Sequence, residues 1–415
     1  MRLSPILLYL ALIIPAAVPA SGCGGTYEAV PPVTHESAGG YDPDDAWLFS
    51  DKTIHRINIT LTDTAIAALT KDPYTLVGGS VTIDDKPVSG VGVRLRGKIG
   101  SFRTLMKKPK FKIDFAEFAE GQRFYGLKAL ALNNAVVDCS YLKEPLGYHM
   151  YALAGVPASR TGFARVAVNG ADYGLYIMIE EPDDRFLKRR YKKDDGNLYD
   201  GKYIWYGGHN YTLLDFNTNV DDKFALEEGQ NVGNADIKAV SKALADNAGK
   251  GNVLAGMAPV IDWPEFLRMM ATDQWTGAND SYPMNQNNYR VYFDPGNGGR
   301  MDMIPWDFDY SFLQASQWGK SWMTPQGRIA RACLGDAACL AAYKSEVQSL
   351  IAKIDPAKLI EWFNQIDALT LADAMNDPRR ECAASTITVN RQALRDYVMA
   401  QNGKLRAFWG LGGTP

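Results

Sequence analysis

Apolar and polar residues alternate with a period of two from Ile54 to Leu61, which predicts a strand with one buried face. Thr62 or Asp63 is placed to cap a short helix through Leu69. Val81–Ile83 and Val91–Arg96 read as further strands, and Gly97-Lys98-Ile99-Gly100-Ser101 as a flexible turn after them. Pro109–Phe115 alternates again, with Phe111, Ile113 and Phe115 on one face and Lys108, Lys110 and Lys112 on the other. A stripe of Leu142, Leu146, Met150 and Leu153 predicts a helix from about Ser140 to Leu153. Pro145 would fall just past the free first turn of a helix begun at Ser140, which argues for a later start. Phe163–Val168 and Tyr173–Ile179, joined by Asn169-Gly170, form a hairpin pattern that closes on the boundary Glu180-Glu181-Pro182.

Beyond Pro182 the period changes. Helical patterns cover residues 183–191, 234–247 and 262–275, and nearly everything from Asp336 onward. One hairpin interrupts them, Tyr289–Phe293 and Met301–Ile304, with Asp294-Pro295-Gly296-Asn297-Gly298-Gly299 between its strands. The chain therefore reads as α+β, strand-rich before Glu180 and helix-rich after it. Pairing within the late hairpin would bring Asp280 and Asn288, before its first strand, close to Asp307 and Asp309, after its second. Such a set of hard oxygen donors suits a divalent cation shared with phosphate oxygens. It is also the layout of a kinase catalytic loop, hairpin and metal-binding aspartate. A hairpin with solvated acidic ends is the plainer alternative.

Composition narrows the function. The 415 residues are 46% hydrophobic with a net charge of −3, enough for a large core and without a global attraction for nucleic acid or an anionic membrane. The four histidines form no H-E-x-x-H pair and no G-x-S-x-G elbow occurs, which argues against zinc and serine hydrolases. Gln314 stands where a phosphate loop ending in Gly319-Lys320-Ser321 needs glycine. Eight cationic residues lie between Arg94 and Lys112 with no acid before Asp114, a local anion site or a lysine-blunted strand edge. At the N-terminus, Arg2, the apolar run Ile6–Ile14 and the small residues after it make residues 1–22 a secretory signal. Ala20-Ser21-Gly22-Cys23 suggests lipidation of Cys23; alanine at the first position leaves ordinary cleavage after Ala20 as the alternative. Residues 23–50 read as a polar tether. The four remaining cysteines allow three pairings, and closeness in sequence favours Cys333 with Cys339, against a reading as free thiols.

Taken in order, several segments resemble the CotH family of spore-coat protein kinases. They are Arg94-Leu95-Arg96-Gly97, Lys107-Lys108-Pro109 through Phe115, Gly121 to Leu127 into Leu132-Asn133-Asn134, and Val168-Asn169-Gly170 with Tyr173-Gly174-Leu175-Tyr176. Gly196-Asn197-Leu198-Tyr199, Asn288-Tyr289 and Ile304-Pro305-Trp306-Asp307-Phe308-Asp309 complete the set. The resemblance implies a two-lobed protein-kinase-like fold, with an N-lobe over 51–180, a C-lobe over 181–335 and a helical extension over 336–415. It implies ATP with Mg²⁺ or Mn²⁺ as cofactors and a serine or threonine of a protein as acceptor. By the same resemblance Asp307 holds metal with Asn288 and Asp309, and Asp280 orients or deprotonates the acceptor hydroxyl. Eight positions separate Asp280 from Asn288 where ordinary kinases have five, so Asn285 is the alternative ligand. Lys108 is expected to hold phosphate, with Lys107 and Lys110 not separable from it, and Glu144 to pair with that lysine. Arg96 and the backbone of Ile179, Glu180 and Glu181 are expected on the nucleotide. No nucleic-acid partner is implied, membrane contact comes only through the lipid, and the chain is expected to be exported.

Overall fold

The computed structural model describes residues 44–201, 204–205, 211–230, 233–313 and 321–412. The expected signal segment 1–22, Cys23 and the expected tether up to residue 43 lie outside them. Seven strands come first: β1 (Ile54–Leu61), β2 (Val77–Ile83), β3 (Lys86–Arg96), β4 (Lys110–Asp114), β5 (Ala129–Asn133), β6 (Thr161–Val168) and β7 (Ala171–Glu180). They close into a barrel in the order β1-β2-β3-β4-β5-β7-β6, because β6 returns alongside β1 in parallel, Ile54 opposite Phe163 through Ile59 opposite Val168. Closure leaves these strands no free edge. Inward-facing Ile57, Val81, Val93, Phe111, Ile113 and Met178 fill the interior. Strand β5 has all five residues buried, so it shows no alternation, and the sequence pattern had not marked it as a strand.

Helix α1 (Asp63–Lys71) is capped by the Thr62 hydroxyl, which accepts from the Ala65 N–H. Helix α2 (Lys143–Ala154) starts three residues later than its apolar stripe suggests. Pro145 is then its third residue, where no donor is required, and the first helical bond runs from Leu146 N to Leu142 O at 3.0 Å. In the β6–β7 turn Asn169 and Gly170 both have positive φ, as a tight hairpin needs. The Asn169 amide also exchanges two hydrogen bonds with the Leu61 backbone, both at 2.8 Å, which pins the turn to β1.

The rest of the chain is largely helical: α3 (Asp184–Arg190), α4 (Ala235–Asn247), α5 (Val253–Met257), α6 (Trp263–Thr276), α7 (Tyr282–Asn285), α8 (Arg328–Leu334), α9 (Ala337–Lys353), α10 (Pro356–Met375) and α11 (Ala384–Trp409). Strands β8 (Asn197–Asp200), β9 (Ile204–Trp205), β10 (Tyr211–Thr212), β11 (Ala225–Glu228), β12 (Tyr289–Asp294) and β13 (Arg300–Pro305) lie among these helices. β9 pairs with β10, and a four-stranded sheet runs β11-β8-β12-β13. A second core gathers α2, α6, the last three helices and the outward side chains Leu175, Ile177 and Ile179 of β7. Among the described residues no helix is long and apolar enough to cross a membrane.

One expected boundary moves. The packed part begins inside the stretch read as tether: Asp45 is fully buried and its carboxylate pairs with Arg160 at 2.8 Å. Disulfides join Cys333 to Cys339 and also Cys139 to Cys382, with Cα separations of 5.1 and 5.7 Å.

Candidate active site

On the outer face of the barrel, β3 and β4 pair Arg94 with Lys112 and Arg96 with Lys110, while Leu95 and Phe111 face inward. A cleft of about 360 Å³ separates this cationic face from the ends of the β12–β13 hairpin. Within the hairpin Tyr289 lies opposite Pro305, and Trp306 N donates to Asn288 O at 3.0 Å, so the segments before and after it lie side by side. Asn288 and Asp307 both adopt the left-handed conformation, at φ 54° and 52°. Asn and Asp enter that region more readily than other side-chain-bearing residues.

The polar groups converge there. The Lys110 ammonium lies 3.2 Å from Asp307 Oδ2 and 3.2 Å from Asp309 Oδ2. Asp280 accepts from the amides of Asn285 at 2.5 Å, Asn288 at 3.0 Å and Asn287 at 3.2 Å. The Asn288 amide also reaches the Asp307 carbonyl at 3.4 Å. The Tyr148 hydroxyl accepts from Asp307 N–H at 3.3 Å, and Lys143 donates to Asp309 O at 3.2 Å. Phe308, between the two aspartates, packs on Tyr148 and Tyr151 of α2 with ring centroids 4.6 and 4.7 Å away. Gly147 makes that approach possible, since a Cβ there would sit 2.7 Å from Phe308 Cγ.

Burial and neighbouring charge set the protonation states. Burial works to raise Asp307, but the charge and hydrogen bond of Lys110, with the Arg96 charge and Asp309, together hold the carboxyl below its usual range. Burial, then the Asp307 charge, pushes Asp309 up to about 7. Asp280 rises to about 6, mainly through burial, despite its amide donors. Burial would lower Lys110, yet the two aspartates raise it, so it stays charged. Glu144 is pushed well above the carboxylate range by burial and by Asp307.

Several sequence-derived roles need correcting on placement. Lys108 does not reach the aspartates: its ammonium is buried against Asp377 and donates to Leu175 O at 2.8 Å. The lysine against those aspartates is Lys110, itself buried, while the lysines lining the cleft are Lys98 and Lys112. Glu144 faces the same region but accepts from Asn133 at 2.6 Å, while Lys110 spends its charge on the two aspartates. Ile179 and Glu180 lie within the barrel wall, with backbone partners on both β5 and the β6 side. Their main chain is therefore not open to a nucleotide. The Glu180 side chain is held by Arg160 and Arg189. Glu181, one residue on, does line the cleft, paired with Arg96 at 3.3 Å and Arg290 at 3.6 Å; with Lys112, these charges hold it down to about 2 against its burial. Arg290 and Tyr148 were not anticipated. Tyr148 follows Glu144 by four positions on α2, a spacing that places both on one helix face.

Asp307 Oδ1 is buried with no hydrogen-bond partner, an oxygen available to a cation. Among the described residues no group of three or more His, Cys, Asp or Glu side chains is preformed to hold a metal. Magnesium is commonly bound by one or two carboxylates together with substrate phosphates, and this donor set fits that pattern. The fold and site thus define an α+β protein with a cleft between a cationic barrel face and a cluster of aspartates and asparagines. The chain belongs to the CotH family, matching the "CotH kinase protein" description over residues 93–400. It is 24% identical over 225 residues to the inner spore coat protein H of Bacillus subtilis (strain 168), covering 53% of this chain and 58% of that protein. It is 24% identical over 186 residues to invasin CotH2 of Rhizopus delemar, covering 42% of this chain and 30% of that protein. The matches thus span less than two thirds of either relative. A chain from the HipA–HipB toxin–antitoxin complex with operator DNA of Shewanella oneidensis MR-1 aligns over 87% of this chain and 75% of its own. Its identity is 13% and its TM-score 0.33, too low to support an argument.

Proposed function

We propose that this chain is an exported atypical protein kinase with a two-lobed kinase-like fold, transferring the γ-phosphate of ATP to a serine or threonine hydroxyl of a protein. The observation that carries the reading is the meeting of Asp307, Asp309, Asp280 and Asn288 in one cleft, with the buried Lys110 ammonium against Asp307 and Asp309. Phosphoryl transfer spreads negative charge over the transferred group, so positioned cations and an aligned hydroxyl supply most of the rate. Mg²⁺ or Mn²⁺, held by Asp307 with Asn288 and Asp309, would neutralise phosphate charge when bound. Lys110 supplies a fixed positive charge beside the same oxygens, and Arg96 extends that field along the cleft wall. Asp280 orients the acceptor hydroxyl and takes its proton as the oxygen bonds to phosphorus and ADP leaves.

Export is supported by the N-terminal pattern and by two disulfides, which persist in oxidising compartments. The relatives' names, a spore coat protein and an invasin, agree with a surface location. Lipidation at Cys23 would anchor the chain on the outer side of a membrane.

The test is incubation of the purified protein with labelled ATP and Mg²⁺ or Mn²⁺, beside Asp307→Ala. γ-Label on protein in the wild type and none in the variant is the expected result. Transfer of α-label would make it an AMP transferase. Absence of both labels, with no nucleotide-induced thermal shift, would leave a non-catalytic surface module. Equal labelling of both proteins would rule out this site.

A further inference from the structure

The approach to Lys110 is not part of the barrel's hydrogen-bonded wall, yet it is held carbonyl by carbonyl. Tyr173 OH donates to Leu105 O at 2.7 Å and Arg379 donates to Met106 O at 3.2 Å and to Lys107 O. Asn134 donates to Lys108 O at 2.6 Å, and Tyr176 OH to Pro109 O at 2.9 Å. Five successive carbonyls are thus fixed by side chains from outside the segment.

Two of the restraints come from the connection between α10 and α11. Arg379 lies over the Tyr173 ring, 3.4 Å from its centroid, and also donates to Asp172 O at 3.1 Å. Asp377 is fully buried and gathers the Lys108 ammonium, the Leu175 N–H at 3.0 Å, the Tyr141 hydroxyl at 3.1 Å and the Arg379 N–H at 2.8 Å. Gly174 permits this, because a Cβ there would collide with the carboxylate. Cys382, five residues on, is bonded to Cys139 in the segment that leads into α2.

We infer that the 377–382 connection is a positioning element for the cleft, in which Asp377 and Arg379 set the path of residues 105–109 so that β4 delivers Lys110 to Asp307 and Asp309. Neither residue touches the cleft; both act through Lys110. The inference rests on the kinase reading only for what Lys110 does once placed. The placement itself belongs to the free protein.

Arg379 is the residue to test, since it is partly exposed and its loss leaves no buried charge unpaired. Three proteins are compared: wild type, Arg379→Gln and Arg379→Lys. Amide hydrogen exchange is followed in the absence of nucleotide, and Mg–ATP affinity by calorimetry. Arg379→Gln is expected to speed exchange across residues 105–112 at least tenfold, leaving β13 and the melting temperature near wild type. It is expected to weaken Mg–ATP about tenfold, and Arg379→Lys, which keeps a charged donor of longer reach than glutamine, to recover most of the loss. Unchanged exchange over 105–112 in Arg379→Gln would overturn the inference. So would an affinity loss that Arg379→Lys fails to recover. If the wild type binds no nucleotide, the kinase reading fails, while the exchange data still decide the positioning claim.

Discussion

Lys108 and Lys110 stand two positions apart, yet their surroundings give them opposite duties. Lys108 and Asp377 are both buried, so removing one partner strands a charge away from water. Lys108→Met should therefore cost about 3–5 kcal/mol of folding free energy, read from denaturant unfolding. Lys110→Met should cost less, because Asp309, already raised to about 7, can take up a proton and Asp307 retains access to water. Its penalty should fall on phosphate transfer, by two orders of magnitude or more (on the order of 10²). The reverse pattern would return the phosphate role to Lys108. The cleft also predicts a pH response. Asp280 is raised to about 6, so transfer should climb as pH rises through that value and the carboxylate becomes available as a base. Asp309 must lose its proton to hold a cation, so Mg²⁺ or Mn²⁺ binding should release protons and tighten up to about pH 7 before levelling. Calorimetry in buffers of different ionisation enthalpy would measure that release.

At the scale of elements, α2 carries a glycine where helix propensity alone would favour alanine by about 1 kcal/mol. Phe308 reverses that preference, because its ring occupies the space beside Gly147. Gly147→Ala should destabilise by about 1–3 kcal/mol and shift Asp307 with Phe308, weakening Mg–ATP binding. A stabilised variant with unchanged binding would show that the helix and the aspartate segment are not coupled. The end of β7 makes a second element-scale prediction. Glu180 and Glu181 are buried, but arginines, joined at Glu181 by Lys112, hold both down to about 2. A carboxyl depressed in the folded state adds stability that is complete above its unfolded value and disappears as pH falls through the folded one. Stability should accordingly fall between about pH 4.5 and 2. Arg96→Met and Arg160→Met should each shrink that acid-sensitive portion in unfolding curves taken across the range.

At the scale of the molecule, the two disulfides differ in what they restrain. Cys139–Cys382 closes a span of 243 residues and Cys333–Cys339 one of 6. Loop-closure entropy gives roughly 5 kcal/mol for the first and about 2 kcal/mol for the second as upper figures. Cys382→Ser should therefore lower the unfolding free energy more than Cys339→Ser, and reductant should abolish the difference between them. The long bond also ties the helical tail to the segment that enters α2, so its loss should loosen the cleft as well as the fold. Similar losses from both single variants would argue that the tail is held by packing alone.

Much of this protein follows from local pattern. The alternation of Ile54–Leu61, the Asn169-Gly170 turn and the late hairpin each appear as read, because period and turn chemistry act over a few residues. The hairpin register places Asn288 beside Asp307 as read, while Asp280 is brought there by the amides of Asn285, Asn287 and Asn288. Closure of the barrel required β6 to meet β1 across more than a hundred residues, and β5, buried throughout, left no alternation to find. The choice among the lysines was likewise not local. Side-chain direction beside Pro109 depends on Asp377, far along the chain, drawing Lys108 away and leaving Lys110 to the aspartates. Short-range periodicity set the elements and the hairpin; pairing between distant buried charges decided which cation stands at the site.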